Sequence, residues 1–380
     1  KIVIQIPYFC TMRFLSADYI YPLHITPIKE GVIQISDMGK ILNIFTDRYE
    51  VPKGKLEIFE GILCPGFVNA HCHLELSHLK GKSEKGKGFL NFVEVIQKRN
   101  DFCKDDILEA IDFAEKQMIK NGIVAVGDIC NTSDTINQKQ KGNLEYYNFI
   151  EVFGVDNSKS DEIVSEAKTL RDKFRIEGMK STISPHAPYS VPPKLMEEIS
   201  NSFDKKDEII TIHNQETEEE NQLFEKKSGL FLDWLKKINS TSEIWEKRNS
   251  SSDILKEINS GKMLFVHNTF TKKKDISDNY YCTCPKANLH IENSLPDYSI
   301  FNVEKLCVGT DSLASNNSLS IFEELKIIQE NSDFDLNTLL KISSKNGAEA
   351  LGFSDLGTFE KGKTPGVNLM KNLERVEVIA

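Results

Sequence analysis

Most of the sequence repeats one pattern, in which a short apolar segment is followed by a polar turn and an amphipathic helix. Apolar strands that alternate with helices predict parallel βαβ units, and eight such units predict an α/β fold with a closed (β/α)8 barrel. An open, doubly wound sheet is the alternative, but it would concentrate its functional polar residues at one switch point. Here polar residues follow nearly every predicted strand, which favours the barrel. The predicted strands are one that begins near Ile62 and ends at His71 and His73, followed by segments 123–129, 146–152, 179–183, 209–213, 263–267, 280–284 and 306–310.

Both ends of the chain lack this alternation. The N-terminal β-prone segments are 14–21, 31–36, 41–45 and 56–59. They are separated by turns, and the tail from Gly357 returns to the same turn and strand character. We therefore predict a small β domain built from residues 12–63 together with residues 356–380, beside a barrel domain over residues 64–355. Residues 1–11 are interpreted as an upstream extension.

Composition restricts the class of partner. The chain has 380 residues and a formal net charge of −10, with 39% hydrophobic and 27% charged residues. Nucleic-acid binding depends on clustered Lys and Arg, so this charge argues against it. The apolar runs are too short to cross a membrane, and we expect a soluble protein with no membrane partner. Eight scattered cysteines without paired zinc spacing are typical of a reducing cytoplasm, where we expect the protein to be found.

The stretch CPGFVNAHCHLELSHLKG, residues 64–81, carries the first candidate site. Strand side chains alternate between faces, so His71 and His73 are expected to point the same way. Two imidazoles on one strand end can share a metal cation at about 2.0–2.1 Å each. An HxH pair can also be two polar residues that leave a strand, so the rest of the chain has to decide.

Histidines cluster at the ends of the predicted strands. Six of the eight histidines lie there or just beyond, namely His71, His73, His78, His186, His213 and His267. A barrel brings the C-terminal ends of its strands to one face, so these side chains and Asp311 are expected to converge. Three imidazoles and one carboxylate suit Zn²⁺ or Fe²⁺, and a site that keeps water as a further ligand would be hydrolytic.

Other polar residues have candidate roles in such chemistry. Glu216, three residues after His213, is placed to accept the proton of water and pass it to a leaving group. His267 could orient the water and stabilise developing charge, or could be a satisfied strand-end histidine. His186 and Glu75 are candidate substrate contacts, with a turn residue and a strand-end carboxylate as the respective alternatives.

Roles are also predicted for two segments near the candidate site and for two serines after the last predicted strand. The Gly- and Lys-rich loop 81–88 is long enough to act as a lid. Segment 223–258 is longer than one crossover helix requires and is interpreted as an insertion over the barrel mouth. Ser312 and Ser315 are candidate caps of a helix that begins near Leu319.

The ordered motifs PGFVNAHCHLE, SPHAPYS, HNQETEEE, VHNT, CPKAN and GTDSLASN, followed by ALGFSDLGTFEKGK, resemble the amidohydrolase superfamily. Within it, the chain resembles the cytosine deaminase-like, ATZ/TRZ-type aminohydrolases, and its HLE sequence resembles the aminodeoxyfutalosine deaminase branch. The resemblance implies a TIM-like barrel with a composite β-sandwich and one divalent metal, with zinc expected and iron(II) as the alternative. It implies His71, His73, His213 and Asp311 as metal ligands. Catalytic roles are implied for Glu216, His267 and Asp311, and substrate contacts for His186 and Glu75.

The expected activity is hydrolytic deamination of an aminated purine or nucleoside, such as aminodeoxyfutalosine or an adenosine derivative. Alternatives are hydrolysis of another ring substituent such as chloride, hydrolysis of a cyclic amide, and a barrel without enzymatic activity. The partner is expected to be a small-molecule substrate, and a homodimer is left open.

Overall fold

The chain has β-strands alone near both ends and alternating strands and helices between them. The computed structural model describes residues 12–52, 54–204, 208–238, 245–258, 261–371 and 374–380, apart from the side chains of residues 256 and 257. The interpreted extension over residues 1–11 lies outside these ranges. The strands of the described chain are β1 (Arg13–Ser16), β2 (Tyr19–Ile20), β3 (Ile28–Lys29), β4 (Val32–Ile35), β5 (Ile41–Phe45), β6 (Leu56–Ile58), β7 (Ile62–Pro65), β8 (Phe67–Cys72), β9 (Ile123–Cys130), β10 (Glu145–Val152), β11 (Lys180–Pro185), β12 (Ile209–Asn214), β13 (Lys262–His267), β14 (Tyr280–Thr283), β15 (Leu306–Val308), β16 (Val367–Lys371) and β17 (Arg375–Val378).

Helices follow the strands of the central region. They are α1 (Phe89–Ile96), α2 (Lys104–Lys120), α3 (Ile136–Lys139), α4 (Ser160–Ile176), α5 (Pro193–Asn201), α6 (Glu218–Lys226), α7 (Leu230–Lys237), α8 (Pro285–Ile291), α9 (Ile321–Glu330), α10 (Leu336–Leu340) and α11 (Asn346–Ala350). Helix α2 shows why they form, since Ile111, Ala114 and Met118 recur every three or four residues and are buried. No helix in the described ranges is long and apolar enough to span a bilayer.

The central strands form two sets of four. One set has the order β11-β10-β9-β8 and the other β12-β13-β14-β15, and neighbours in each set are parallel. Hydrogen bonds join the sets, because the His213 N–H donates to the His186 carbonyl at 2.9 Å and the Asp311 N–H donates to the His71 carbonyl at 3.1 Å. All seven predicted strands after the HxH strand occur, with bounds that differ from the prediction by at most two residues.

The predicted HxH strand is wrong in one respect, because it is two strands rather than one. The chain changes sheet at Gly66, where an added Cβ would lie 2.3 Å from Val124 Cγ1 and 2.8 Å from the Pro365 carbonyl oxygen. Only glycine allows this close passage. Strand β7 pairs with β16 and β2, whereas β8 pairs with β9.

The strands near the chain ends form two further sheets. Their orders are β5-β4-β1-β6 and β17-β16-β7-β2-β3, so the second sheet combines strands from both ends of the chain. Leu15, Ile33, Leu63, Phe359 and Leu369 are among the buried side chains that pack together here. The predicted boundary at residue 63 falls inside β7.

A buried ion pair joins β9 to α3, and its carboxylate also binds the segment that follows His73. Lys139 Nζ lies 2.5 Å from Asp128 Oδ2 and 2.6 Å from Asn148 Oδ1, and both charged side chains are at most 1% exposed. The other Asp128 oxygen accepts the backbone N–H of Leu74 at 2.8 Å. The pair therefore fixes the chain directly after His73.

Replacing Lys139 by Met is expected to lower the free energy of unfolding by about 3–5 kcal/mol, because the Asp128 carboxylate stays buried without its counter-charge. Urea unfolding followed by circular dichroism measures this change. The double variant Lys139→Met with Asp128→Asn removes both charges and is expected to recover part of the loss. Equal midpoints for the single variant and the wild type would show that the pair contributes nothing to stability.

Candidate metal centre and active site

Three histidine rings meet at the ends of β8 and β12. His73 Nε2 lies 3.2 Å from His71 Nε2 and 3.3 Å from His213 Nε2, and all three residues are buried. The His213 Nδ1–H donates to the His186 carbonyl at 2.8 Å, so the neutral His213 ring presents a lone pair at Nε2. The structure thus brings together the three histidines that the sequence predicted as ligands.

Asp311 completes the cluster from the loop after β15. Its Oδ1 lies 3.7 Å from His71 Nε2 and 3.5 Å from His73 Nε2. Its Oδ2 accepts a hydrogen bond from Ser315 Oγ. The backbone φ of Asp311 is +55°, which is a strained conformation for a residue with a side chain. Two constraints therefore hold Oδ1 toward the imidazoles.

The predicted role of the two serines as helix caps is wrong. Helix α9 begins at Ile321, and the Ser320 side chain caps it by accepting the N–H of Glu323. Ser315 instead donates to Asp311, and Ser312 Oγ accepts the N–H of Ala314 at 3.2 Å. The intervening residues 313–319 form a loop rather than the first turn of the helix, which moves both serines away from the cap position.

The donor set suits a divalent cation. Burial lowers the pKa of His73 to about 3 and lowers the pKa values of His71 and His213, which keeps these rings neutral at pH 7. Burial acts to raise the pKa of Asp311, but His71 and the other imidazoles outweigh it, so its pKa is below the usual range and it is ionised. Electron-rich nitrogen and oxygen atoms 3.2–3.7 Å apart repel each other unless a cation lies among them. The residues present therefore fit a bound metal.

Glu216 and His267 lie beside this cluster. His267 Nε2 is 3.6 Å from Glu216 Oε1, and the ring centroids of His267 and His213 are 5.4 Å apart. Burial, together with the charge of Asp311, raises the pKa of Glu216 well above its ordinary value. A carboxyl group with a raised pKa can carry a proton at neutral pH, as a proton shuttle must.

His267 is held by Asn288 from helix α8. The His267 Nδ1–H donates to Asn288 Oδ1 at 2.8 Å, and Asn288 Nδ2 donates to the His267 carbonyl at 3.3 Å. This pair of bonds favours the tautomer with the proton on Nδ1 and the lone pair on Nε2. Burial lowers the pKa of His267, so the ring is neutral and its Nε2 can accept a hydrogen bond.

A cavity of about 210 Å³ opens above these groups. His73, His213, Glu216, His267 and Asp311 line its floor. Apolar side chains form much of its wall, namely Phe89, Leu90, Phe92, Val93 and Ile96 from α1, Phe231 and Trp234 from α7, and Leu76, Phe153 and Tyr189. The predicted insertion over the mouth thus contributes α7 to the cavity, although residues 239–244 of that segment lie outside the described ranges.

The loop 81–88, which the sequence suggested as a lid, does not border the cavity. In the described chain, α1 lines the cavity and the loop 81–88 before it does not. The loop is tied to α8, because the Gly86 N–H donates to the His290 carbonyl at 2.6 Å and the Gly88 N–H donates to the Ile291 carbonyl at 3.1 Å. These bonds bring the start of α1 next to the cavity.

The two candidate substrate residues lie in different places. His186 lines the cavity, and its Nδ1 is 2.6 Å from Ser190 Oγ. Glu75 is buried but is not among the residues that line the cavity in the described chain, and its carboxylate accepts the N–H groups of Asn131 and Thr132 at 3.0–3.1 Å. A direct contact between Glu75 and substrate therefore has no support from this geometry.

His78 does not join the other histidines, contrary to the prediction that six of them converge. Its ring nitrogens lie 3.1 Å from the Glu75 carbonyl and 3.0 Å from the Arg99 carbonyl. The physical reason is that β8 ends at Cys72 and a 3-10 helix begins at Leu74, so later side chains no longer follow the direction of the strand.

Sequence reasoning gave no role to five polar residues of the cavity and to one residue behind it. Gln97, Arg99, Asn131, Glu151 and Ser190 line the cavity, and Asn288 supports His267. Glu151 is the last residue but one of β10, so its position at a strand end was the available signal. Arg99 follows a helix and carried no comparable signal.

Comparison with known proteins decides the family. The profile of the amidohydrolase family matches residues 62–377, which is most of the chain. The chain belongs to the amidohydrolase family. The resemblance inferred from the ordered motifs is therefore confirmed.

The relatives of this amidohydrolase include two curated deaminases. It is 26% identical over 350 residues to the adenosine deaminase of Helicobacter pylori, covering 88% of this chain and 83% of the relative. It is 26% identical over 326 residues to the aminodeoxyfutalosine deaminase of a Nitratiruptor species, covering 81% of this chain and 78% of the relative.

Solved structures share the fold of this amidohydrolase. The aminofutalosine deaminase of Helicobacter pylori, in complex with methylthio-coformycin, has a TM-score of 0.82 at 23% identity and covers 96% of this chain and 97% of its own. An adenosine deaminase of Xanthomonas campestris with bound zinc has a TM-score of 0.71 at 18% identity, covering 94% of this chain and 84% of its own. Together with the family, these likenesses establish a TIM-barrel-like α/β fold.

Replacing Asn288 by Ala in this amidohydrolase is expected to lower kcat by about 10- to 100-fold while metal stoichiometry stays unchanged, because His267 loses the bond that orients it. Steady-state kinetics and metal analysis of the purified variant measure both quantities. Asn288→Asp keeps an acceptor at the same place and is the control, expected to retain more activity than Asn288→Ala. Equal activity of Asn288→Ala and wild type would contradict the assignment.

Proposed function

We propose that this amidohydrolase is a metal-dependent hydrolytic deaminase of a purine nucleoside or a related aminated heterocycle. The observation that carries the proposal is the arrangement of three imidazoles and Asp311 beside Glu216 at the floor of one cavity. Hydrolytic deamination consumes water and yields a ring carbonyl and ammonia. The names of the deaminase relatives support this reaction over removal of chloride or opening of a cyclic amide.

His71, His73, His213 and Asp311 are proposed to hold one divalent metal, with zinc expected. When bound, such a cation supplies Lewis-acid activation of water at neutral pH. Zinc is supported by the zinc bound to the adenosine deaminase of Xanthomonas campestris. Iron(II) remains the alternative, because it accepts the same nitrogen and oxygen donors.

Glu216 and His267 are proposed to carry out the proton and orientation steps. His267 Nε2 accepts a hydrogen bond from the attacking water and so directs the oxygen lone pair at the ring carbon. Glu216 takes a proton from the water and delivers it to the leaving nitrogen, since its raised pKa lets it hold the proton between the two steps. The bond to nitrogen then breaks, and ammonia leaves with that proton. The second proton of the water moves from the new hydroxyl group to the ring nitrogen, which leaves the ring carbonyl.

The walls of the cavity suit the proposed substrate. Planar heterocycles pack well on aromatic side chains such as Phe89, Phe231 and Trp234. His186 faces the same space and is proposed to contact the ring of the substrate. Aminodeoxyfutalosine and adenosine derivatives are the leading substrates, on the names of the relatives.

We also propose that the eight parallel strands close into a barrel over residues 64–355 and that the end strands form a composite β-sandwich over residues 12–63 and 356–380. The hydrogen bonds between the two strand sets, at His186 and at His71, support closure. The pairing of β16 with β7 supports the composite domain. A homodimer and a cytoplasmic location remain predictions from the sequence.

The test is ammonia release from zinc-reconstituted protein. The panel contains adenosine, 5'-deoxyadenosine, 5'-methylthioadenosine, aminodeoxyfutalosine, guanine, cytosine and a chlorinated triazine, and chloride release is measured in parallel. Ammonia release from at least one purine nucleoside, abolished by chelation, is expected. Chloride release alone, or no product from any compound, would contradict the proposal.

A further inference from the structure

The cavity contains a buried carboxylate that the proposed reaction does not use. Glu151 lines the cavity wall, and its side chain is 5% exposed. Its Oε2 accepts a hydrogen bond from Asn131 Nδ2 at 3.1 Å. Its Oε1 is buried and has no hydrogen-bond partner within the described residues. An unsatisfied carboxylate oxygen in a cavity is costly unless a ligand supplies the donor.

Glu151 is held in place by contacts that begin at Glu75, in the segment that follows β8. Glu75 accepts the backbone N–H groups of Asn131 and Thr132, and the Asn131 amide donates to both the carboxylate and the backbone carbonyl of Glu151. The orientation of Oε1 is therefore set before any ligand binds. Glu75, which the sequence suggested as a substrate contact, acts here as a positioning residue for Glu151.

Glu151 lies beside the catalytic floor without being part of it. Its Oε1 is 3.6 Å from His213 Nδ1, which already donates to the His186 carbonyl. His213 presents its other nitrogen, Nε2, to His73. A substrate whose ring lies over the floor would therefore present its neighbouring substituent, rather than its reacting carbon, to Glu151.

We propose that Glu151 Oε1 accepts a hydrogen bond from a hydroxyl group on the sugar of the substrate, so that the enzyme selects ribosides over free bases and dideoxyribosides. This inference rests on the proposed deaminase function. A hydroxyl is favoured over an ammonium group because Oε1 is one acceptor, which satisfies one hydroxyl and leaves most donors of an ammonium group unpaired.

The experiment compares adenosine with 2',3'-dideoxyadenosine as substrates of the zinc-loaded enzyme. Wild type is expected to prefer adenosine in kcat/KM by about 10- to 100-fold, because the dideoxy compound leaves Oε1 unpaired. Glu151→Ala is expected to lose this preference, mainly by a lower kcat/KM for adenosine. Glu151→Gln keeps the shape of the side chain and one acceptor oxygen, so its preference should lie between the two.

Two controls separate recognition from a structural role. Glu145→Ala changes an exposed carboxylate at the other end of the same strand and should leave the preference unchanged. Metal stoichiometry of the Glu151 variants is measured, because Glu151 adjoins His213. If Glu151→Ala and Glu151→Gln lose equal activity on both substrates, or if wild type does not distinguish them, the proposal is overturned.

A binding measurement tests recognition of the sugar by Glu151 separately from deaminase activity. Zinc-loaded Glu216→Gln is titrated with adenosine and with 2',3'-dideoxyadenosine in a calorimeter, with and without Glu151→Ala. Tighter binding of adenosine that depends on Glu151 supports the inference even if wild type releases no ammonia. Deamination of both compounds at equal rates would support the proposed function and overturn the inference.

Discussion

Glu216→Gln is expected to lower kcat by about 10³-fold or more, because glutamine fills the same space but cannot carry a proton between water and the leaving nitrogen. The Glu216 carboxyl group is buried, and its Oε1 lies 3.6 Å from His267 Nε2. A solvent-exposed acid elsewhere on the protein therefore cannot take over its proton transfer. KM should change little, since Glu216 is assigned to proton transfer rather than to ground-state binding.

Steady-state kinetics and metal analysis of the purified variant test this expectation. Glu218→Gln, two residues along the chain in the first turn of α6, is the matched control and should keep wild-type kcat. Full metal occupancy with lost turnover is the expected result for Glu216→Gln. A variant that keeps more than a tenth of wild-type kcat would exclude Glu216 as the proton shuttle.

His73→Asn is expected to abolish turnover and to weaken metal affinity by more than about 100-fold, because a direct ligand is lost rather than a supporting contact. His73 Nε2 is central to the cluster, at 3.2–3.5 Å from His71, His213 and Asp311. Competition with a chelator of known affinity measures the change.

The same substitution at His78 provides the control. His78 is five residues further on, but its ring nitrogens face the carbonyl groups of Glu75 and Arg99. His78→Asn should therefore keep its metal and lose some stability. If His73→Asn binds metal as tightly as His78→Asn, His73 is not a ligand.

The parallel strands and the clustered residues could largely be predicted from the sequence, because short local patterns mark both. Apolar runs that end in polar residues mark strand ends, and the ends of parallel strands meet at one face. His71, His213, His267 and Asp311 stand at or just after such ends, so their convergence could be expected before any distance was known.

The remaining parts of the site depend on contacts that no local pattern records. Asn288 reaches His267 from 21 residues away, and Glu75 acts through Asn131, 56 residues away, on Glu151. The strand pattern also ends at Cys72, where a 3-10 helix turns the next side chains away. The convergence of His78 was misjudged because the strand pattern was carried past this point.

In the proposed reaction, the oxygen of water replaces the amino group on the substrate ring. Reaction of the zinc-loaded enzyme with its best nucleoside substrate in ¹⁸O-labelled water, followed by mass spectrometry of the product, tests this directly. We expect one ¹⁸O atom in the ring carbonyl of the product for each ammonia released, and no labelled product from Glu216→Gln on the same timescale. Ammonia release without ¹⁸O in the ring, or a labelled product that retains its amino group, would contradict the proposed reaction.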